Sequence, residues 1–335
     1  MCGIAGILNR GGEPVTLDEL RPMCTAMTYR GPDDEGFYFG EGVGLGMRRL
    51  SIIDLQTGHQ PVRNEDGTIW VVLNGEIYNY PALRADLERR GHVFYTTTDT
   101  ETIVHLYEEY GTACVEKLRG MFCFAVWDER ARLLFVARDR LGIKPLYYTY
   151  ANGRFAFASE LKCLLTLPQT GRELNWRSVN HLFTANTTPA SESIIAGVHK
   201  LEPGCTITLV PGAQPCKRQY WDVAFEPEHG RSEDYFVERL RELLTESVRI
   251  HMLADVPLGA FLSGGIDSSA VVATMARLSS RAIKTFSIGF REPEFNESPY
   301  ARAVAEHCGT EHRELIVEPD IEDLVQDLAW YLDEP

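Results

Sequence analysis

The sequence lacks the features that mark membrane-spanning, secreted and nucleic-acid-binding proteins. No apolar run approaches the about 18 residues of a spanning helix, and the N-terminus, MCGIAGILNRGG, has no signal-peptide pattern. The eight cysteines form no CxxC pair, which excludes the commonest zinc and redox spacings and favours a reducing, cytoplasmic compartment. With 33 basic against 48 acidic residues and no long basic stripe, the net charge of −15 argues against nucleic acid or an anionic membrane as partner.

Two common phosphate-binding motifs are also missing. The sequence has no Gly-Lys dipeptide, which excludes a Walker A loop, and no GxGxxG, so a dinucleotide fingerprint is unsupported. What the 335 residues do provide is ordinary globular composition, with 44% hydrophobic and 24% charged residues. That length predicts about two domains.

The first two hundred residues predict two stacked sheets with helices outside. Residues 122–127 are apolar on both faces, which indicates a strand covered on both sides, and Asn152-Gly153 is a hairpin turn signal. Apolar spacing predicts helices over 81–90 and about 100–110. Candidate strands cover residues 3–8, 43–50, 69–74, 92–97, 121–128, 133–138, 146–150 and 154–159.

A change in composition predicts a linker over residues 211–233, which are rich in Pro, Gly and charge. After it, predicted strands at 257–262, 284–290 and 312–317 alternate with helices, and a final helix starts at about residue 321. This βαβαβ order indicates a parallel sheet. Such sheets ordinarily have about five strands, so the second domain looks incomplete.

Cys2 is the first candidate catalytic residue. Removal of Met1 would place a thiol and a free α-amine on one residue, with reference pKa values of about 8.5 and about 8. The amine can then take the thiol proton, as in N-terminal nucleophile enzymes. The alternative is that position 2 is merely a small apolar start to a strand.

Several polar residues match what a glutamine substrate needs. Arg49 offers a cation for its α-carboxylate and Asp99 an anion for its α-ammonium, while Asn74-Gly75 offers donors for the oxyanion formed at its side-chain carbonyl. Each also has a simpler explanation, as a strand-end ion pair, a helix N-cap and a turn respectively. Their joint occurrence with Cys2 favours the glutamine site.

Six longer motifs surround these residues: MCGIAGI at the start, YRGPDDEG at 29–36, RRLSIID at 48–54, LNGEIYN at 73–79, TDTE at 98–101 and ARDRLGIKPLY at 137–147. These motifs resemble those of the class II glutamine amidotransferases, and more closely those of the glutamine-hydrolysing asparagine synthetases. The resemblance implies an α+β, αββα N-terminal-nucleophile (Ntn) hydrolase sandwich in which Cys2 forms a γ-glutamyl thioester and Asn74 and Gly75 form the oxyanion hole. It also implies a set of glutamine-binding residues: Arg49, Leu50, Ser51, Ile52, Ile53, Asn74, Gly75, Glu76 and Asp99.

The run SGGIDSS, residues 263–269, lies between a predicted strand and a predicted helix. Its glycines and serines can bring backbone and hydroxyl donors to an anion at the helix N-terminus, although a simple capped turn would look the same. The run resembles the loop of ATP pyrophosphatases, whose α/β parallel-sheet domains are Rossmann-like. The resemblance implies that Asp267 helps hold Mg²⁺, although it could be only a capping residue. The ATP-binding residues that it implies are Leu262, Ser263, Gly264, Gly265, Asp267, Ser268, Ser269 and Ile288.

The sequence therefore predicts a glutaminase domain over residues 1–210, the linker, and a partial synthetase domain over 234–335. The expected reaction converts ATP, aspartate and glutamine with water to asparagine, glutamate, AMP and pyrophosphate. Family members ordinarily continue for over a hundred further residues, so the synthetase half is expected to be truncated. The alternatives are another carboxylate acceptor and a non-catalytic fragment. The resemblance allows a homodimer.

Overall fold

The computed structural model describes residues 1–318 and 321–334. The chain divides into two compact units, the first formed by Met1–Val223 with the segment that starts at Ala329, the second by Ala224–Leu328. No helix in the described ranges is long and apolar enough to cross a membrane.

The first unit contains twelve strands in the part of the chain that the structure describes. They are β1 Gly3–Asn9, β2 Asp34–Gly40, β3 Val43–Arg49, β4 Val62–Arg63, β5 Ile69–Ile77, β6 Gly120–Asp128, β7 Leu133–Arg138, β8 Tyr147–Ala151, β9 Arg154–Ala158, β10 His199–Lys200, β11 Cys205–Leu209 and β12 Cys216–Gln219. They form two six-stranded antiparallel sheets, with the orders β10-β8-β9-β1-β3-β2 and β12-β11-β7-β6-β5-β4.

Helices cover the outer faces of both sheets. The helices are α1 Leu17–Ala26, α2 Tyr80–Arg89, α3 Thr100–Tyr110, α4 Leu161–Leu164 and α5 Trp176–Ala185, and a 3₁₀ helix spans Gly111–Lys117. One apolar cluster lies between the sheets, a second joins β5, β6 and β7 to α2 and α3, and a third joins β1 and β9 to α1 and α4. This is the αββα sandwich that was predicted.

Strand β6 confirms the prediction of a strand covered on both faces. Cys123, Ala125 and Trp127 lie in the cluster between the sheets, while Phe122 and Phe124 pack in the cluster under the helices. Alternation of side chains across the strand places the two sets on opposite faces.

The predicted hairpin turn between β8 and β9 is also confirmed. Ala151 pairs with Arg154, so Asn152 and Gly153 form a two-residue loop. Both loop residues have positive φ, 52° and 76°, as a type I′ turn requires.

The prediction of a strand over residues 92–97 is wrong. This segment is irregular, and its backbone N–H groups bond to carboxylates instead of to a neighbouring strand. Tyr95 and Thr96 donate to the carboxylate of Glu101 over 2.8 and 2.7 Å, and Thr97 donates to Asp54 over 2.7 Å. Because these acceptors satisfy the backbone, the segment needs no ladder partner.

Among the described residues, eight strands and α-helices of the first unit lie outside the predicted strands and helices: β2, β4, β10, β11, β12, α1, α4 and α5. Strand β2 carries two acidic residues and two glycines, a poor strand composition, and β4 and β10 are only two residues long. Strand β12 lies inside residues 211–233, the range predicted as a linker, because it pairs antiparallel with β11 at the edge of the second sheet.

The second unit contains a three-stranded parallel sheet with crossover helices, as predicted. Its strands, β13 Gly259–Phe261, β14 Lys284–Gly289 and β15 Glu311–Ile316, lie side by side in that order. Two small apolar clusters pack against this sheet. The elements are α6 Glu233–His251, β13 Gly259–Phe261, α7 Ile266–Leu278, β14 Lys284–Gly289, α8 Ser298–Cys308 and β15 Glu311–Ile316, followed by α9 Ile321–Leu332, which continues into the segment that belongs to the first unit.

Candidate active site

Cys2 immediately precedes β1, and the pairing of β1 with β3 places the end of β3 next to Cys2. Gly3 pairs with Arg48, so the residues that follow β3 pass the Cys2 side chain. The backbone N–H of Leu50 donates to the Cys2 Sγ over 3.4 Å, and the thiol lies 3.5 Å from the carbonyl oxygen of Leu50. Burial raises the pKa of the Cys2 thiol, although the bond to Leu50 opposes that shift. Such a thiol needs a base to become a nucleophile.

Asn74 reaches the same region from β5, through Ser159. The Ser159 Oγ accepts a hydrogen bond from the Ile4 backbone N–H over 3.0 Å and lies 3.2 Å from the Asn74 Nδ2. Asn74 has no exposed surface, and its Oδ1 has no hydrogen-bond partner among the described residues. The Asn74 amide is therefore held through its nitrogen only. Its partner, Ser159, is bonded to Ile4, which lies two residues after Cys2.

Gly75 must be a glycine for a steric reason. Its φ is +155°, and a Cβ there would lie 2.1 Å from the carbonyl oxygen of Met121 and 2.6 Å from the Cα of Phe122. A side chain would push β5 away from β6, and Asn74 would move with it.

Arg49 is tied to the loop that follows it. Its buried guanidinium donates from Nη2 to the carbonyl oxygens of Ile53 and Asp54, over 2.9 and 2.6 Å. Ser51 is fixed at the same loop by donation to Asp33 over 2.9 Å. In the structure Arg49 thus holds the loop containing Leu50, Ser51, Ile52 and Ile53 against Cys2.

Two carboxyl groups, Glu76 and Asp99, lie at the end of β5. Asp99 accepts hydrogen bonds from the Ile77 N–H over 2.7 Å and from the Thr98 hydroxyl over 3.1 Å. Burial, followed by repulsion from Asp99, raises the pKa of Glu76 to about 8. Burial also raises the pKa of Asp99, although its hydrogen bonds oppose the shift. Two neighbouring buried carboxyls of this kind favour a cationic ligand group.

Lys144 is a site residue that the sequence-based list missed. Its loop is shaped by Asp139, whose carboxylate accepts from the backbone N–H groups of Leu141, Ile143 and Lys144 and of Phe122, the register partner of Gly75. Lys144 is 5% exposed. Burial lowers its pKa, while the charges of Glu76 and Cys2 oppose that shift, so its ammonium lies within electrostatic reach of both.

Arg30 is the second missed residue. Its Nε donates to the Cys2 carbonyl oxygen over 2.9 Å, and its Nη1 donates to Glu160 over the same distance. Glu160 also pairs with Lys162 at 2.7 Å, so the Arg30 side chain is held from its far side. Arg30 and Lys144 both lie inside motifs that carry the resemblance, and that is the signal that could have found them.

The SGGIDSS run of the second unit forms a loop between β13 and α7. The Ser263 Oγ lies 3.0 Å from the Ser268 Oγ and accepts from the Gly265 N–H over 3.3 Å. Gly264 has a φ of +84°, and a Cβ there would meet the backbone of α8 at 2.6 Å. Ser269 Oγ is buried without a hydrogen-bond partner among the described residues. The loop therefore has the geometry of a helix N-terminus open to an anion.

The structure brings most of the predicted ATP residues to the carboxyl end of this sheet. Leu262 donates from its N–H to Phe286 over 2.8 Å, and Ile288 lies two residues further along β14. Leu262 itself is 1% exposed and packs in the apolar cluster with α7 and α8, whereas Ile288 is exposed. Asp267 lies in the first turn of α7, which suits either capping or a metal.

Comparison with known proteins agrees with the division of the chain. A family model described as "Glutamine amidotransferase domain" matches residues 1–221, and one described as "Asparagine synthase" matches residues 239–335. A Methanocaldococcus jannaschii protein, by provisional name a glutamine-hydrolysing asparagine synthetase, is 37% identical over all of this chain and 68% of its own length. The chain belongs to the glutamine-hydrolysing asparagine synthetase family.

Other members of the asparagine synthetase family are much longer than this chain. Asparagine synthetase 1 of the glutamine-hydrolysing type from Bacillus subtilis is 39% identical over the whole chain, which spans 53% of that protein. A solved structure titled as the allosteric regulatory enzyme of purine biosynthesis is 14% identical, with a TM-score of 0.50 over 96% of this chain and 81% of that one. The last likeness shows the fold alone.

Proposed function

We propose that the first unit hydrolyses glutamine with Cys2 as nucleophile, after removal of Met1. The observation that carries this proposal is the convergence of Cys2, Asn74 and a pair of buried carboxyls in one unit. Glu76 and Asp99 suit the α-ammonium of glutamine, and the loop that Arg49 fixes suits its α-carboxylate end. Family membership supports the same assignment.

In this mechanism the free α-amine of Cys2 takes the thiol proton, and the thiolate attacks the side-chain carbonyl carbon of glutamine. The C–N bond then breaks, ammonia leaves with the proton from the amine, and a thioester remains. Water attacks the thioester carbonyl, and the departing thiolate recovers a proton, which gives glutamate. Each turnover thus consumes one water and releases one ammonia.

Asn74 supplies the oxyanion donor after a half-turn of its amide. In that rotamer Oδ1 accepts from the Ser159 hydroxyl, whose proton is available because Ser159 Oγ already accepts from Ile4. The amide NH₂ then occupies the buried position that now lacks a partner. Once the amide has turned, Ser159 holds the donor in place before charge develops on the substrate oxygen.

For the second unit we propose that ATP activates the carboxylate of an acceptor substrate, which ammonia then attacks. The acceptor that we propose first is aspartate. Ser263, Ser268 and the unpartnered Ser269 hydroxyl offer donors to phosphate oxygens at the start of α7. A single carboxylate, Asp267, fits Mg²⁺, which is commonly held by one or two carboxylates and substrate phosphates. The ion would screen phosphate charge there.

The test is glutamine hydrolysis by wild type, Cys2→Ala and Cys216→Ala, with intact mass after treatment with a glutamine-analogue diazoketone. The wild type should lack Met1 and gain one adduct. Cys2→Ala should gain none and lose activity by on the order of 10⁴-fold or more. Cys216→Ala, at an exposed free thiol, should behave as wild type.

Hydrolysis by a chain that retains Met1, or by Cys2→Ala, would overturn the glutaminase proposal. The acceptor is tested separately by pyrophosphate release with ATP, ammonia and a panel of carboxylic acids. Release with another acid but not with aspartate would replace aspartate as acceptor, and no release with any acid would remove the synthetase proposal alone.

A further inference from the structure

Two histidines and two glutamates of the first unit converge at a place that the glutamine reaction does not use. One donor atom from each of Glu65, His92, His105 and Glu108 lies within 4.8 Å of the other three. His92 Nδ1 lies 3.4 Å from Glu108 and 3.7 Å from Glu65, and His105 Nδ1 lies 3.0 and 3.6 Å from the same two carboxylates. Tetrahedral ligands of a metal at about 2.0–2.1 Å are about 3.3 Å apart.

Each histidine has its other ring nitrogen directed at a carboxylate outside the cluster. His92 Nε2 hydrogen-bonds to Glu109 over 3.1 Å, whereas His105 Nε2 lies 3.6 Å from Glu101 and makes no hydrogen bond among the described residues. Metal-bound histidines usually make an outer hydrogen bond of the kind that His92 makes to Glu109, because it fixes the ring and leaves the inner nitrogen as a ligand. Both Nδ1 atoms face the cluster together.

Each of the two glutamates is also oriented by a hydrogen bond to one of its carboxylate oxygens. Glu108 accepts a hydrogen bond on Oε1 from Asn64 over 2.8 Å, which leaves Oε2 directed at both histidines. Glu65 accepts on Oε1 from the Val93 backbone N–H, also over 2.8 Å. Their side chains are 23% and 35% exposed, so an ion can reach the cluster from solvent.

We propose that Glu65, His92, His105 and Glu108 bind one divalent transition-metal ion, with Zn²⁺ as the best fit. Two imidazole nitrogens with two carboxylate oxygens suit Zn²⁺ and disfavour Mg²⁺ and Ca²⁺, which take oxygen ligands. Four protein ligands close the coordination shell, which is typical of a structural site.

The ion would join three separate segments of the first unit. Glu65 follows β4, His92 follows α2, and His105 and Glu108 lie one turn apart on α3. Glu101, which faces His105, also accepts from the backbone of the irregular segment that leads to Asp99. The bound ion would therefore stabilise the irregular segment that leads to Asp99, a proposed glutamine-binding residue.

The test is metal titration of the full chain after treatment with a chelator. We expect about one Zn²⁺ per chain and a thermal midpoint that rises with Zn²⁺ concentration. Co²⁺ should give weak visible bands without the intense near-ultraviolet thiolate band, because the ligands include no cysteine. Mg²⁺ should neither bind in a one-to-one ratio nor raise the thermal midpoint.

His92→Gln and Glu108→Gln should each weaken Zn²⁺ binding by at least about tenfold. His181→Gln, at a half-buried histidine on α5 whose ring bonds the Thr187 carbonyl, should not change Zn²⁺ binding. Labelling of Cys2 by the glutamine analogue should persist in all three variants, which shows that they are folded. Absence of stoichiometric Zn²⁺ binding, or equal binding by His92→Gln and wild type, would overturn the proposal and leave a metal-free ion-pair cluster.

Discussion

Strand β6, an inner strand of the first unit, buries its large apolar side chains, whereas β14, the middle strand of the second unit, exposes them. In β6 the apolar side chains of both faces are buried, because the second sheet lies on one side and helices on the other. In β14 the polar Thr285 and Ser287 are buried, while Phe286 is 36% and Ile288 50% exposed. Large apolar side chains are thus buried in one strand and exposed in the other, depending on what covers each face.

The exposed face of the second sheet is continuous across its strands. Phe261 pairs with Phe286, and Ile288 pairs with Leu315, so four large apolar side chains lie side by side. Phe261 and Leu315 are 77% and 62% exposed. The comparison teaches that the first unit completes its core with its own residues, whereas the second leaves one face of its sheet uncovered in the part of the chain that the structure describes.

The sharpest test of this comparison replaces one phenylalanine in each unit by alanine. Phe135→Ala should lower the free energy of unfolding of the first unit by about 3–5 kcal/mol, because Phe135 is fully buried against α3 and Phe124. Phe261→Ala should change stability by about 0.5 kcal/mol or less, because little area is lost from a core. Urea unfolding measures both, and equal losses would contradict the comparison.

A second prediction concerns the oxyanion donor. Asn74→Ala should lower kcat for glutamine hydrolysis by about 10²–10³, because one donor to the developing charge is lost. Steady-state glutamate release measures the effect, and Asn180→Ala, on the exposed side of α5, serves as control. An unchanged kcat in Asn74→Ala would remove Asn74 from the chemistry.

A third prediction tests Lys144, the buried cation near Cys2 that was not predicted from the sequence. Lys144→Met should slow labelling of Cys2 by the diazoketone about tenfold at neutral pH, since loss of a nearby positive charge raises the pKa of the thiol. The labelling rate across a pH series measures this, and the profile should move to higher pH. Lys144→Arg should restore most of the rate; equal slowing in both variants would indicate a packing role.

The smallest expected effect concerns pH. Because the pKa of Glu76 is raised to about 8, its ionised fraction rises about fivefold between pH 7 and pH 8, and KM for glutamine should fall by a similar factor. The same raised pKa means that the stability of the first unit decreases as pH rises from about 4.5 to 8. Glu76→Gln should lose both pH dependences while β5 remains intact, and an unchanged profile would contradict the assignment.

The sandwich and the parallel sheet could be predicted because their signals are local. The double apolar face of β6, the Asn152-Gly153 turn and the strand–helix alternation of the second unit each come from a few neighbouring residues. The boundary at residues 211–233 was harder to place, because β12 is exposed and polar and only its pairing with β11 makes it a strand.

The sequence also determined which residue types are available for chemistry: a thiol at position 2, an amide and a glycine at 74 and 75, and a serine- and glycine-rich loop at 263–269. It could not indicate how Arg49 is used, since the carbonyls that it bonds are set by the path of the following loop.

Only the tertiary structure decided which distant groups meet. Asn74 and Ser159 are 85 positions apart in sequence, and Glu65 and His105 are 40 apart, yet each pair converges in the first unit. Periodicity and turn chemistry act over a few residues, whereas such meetings depend on strand register and on the packing of helices against sheets. That is also why residues 92–97, with a strand-like composition, instead bond to the carboxylates of Glu101 and Asp54.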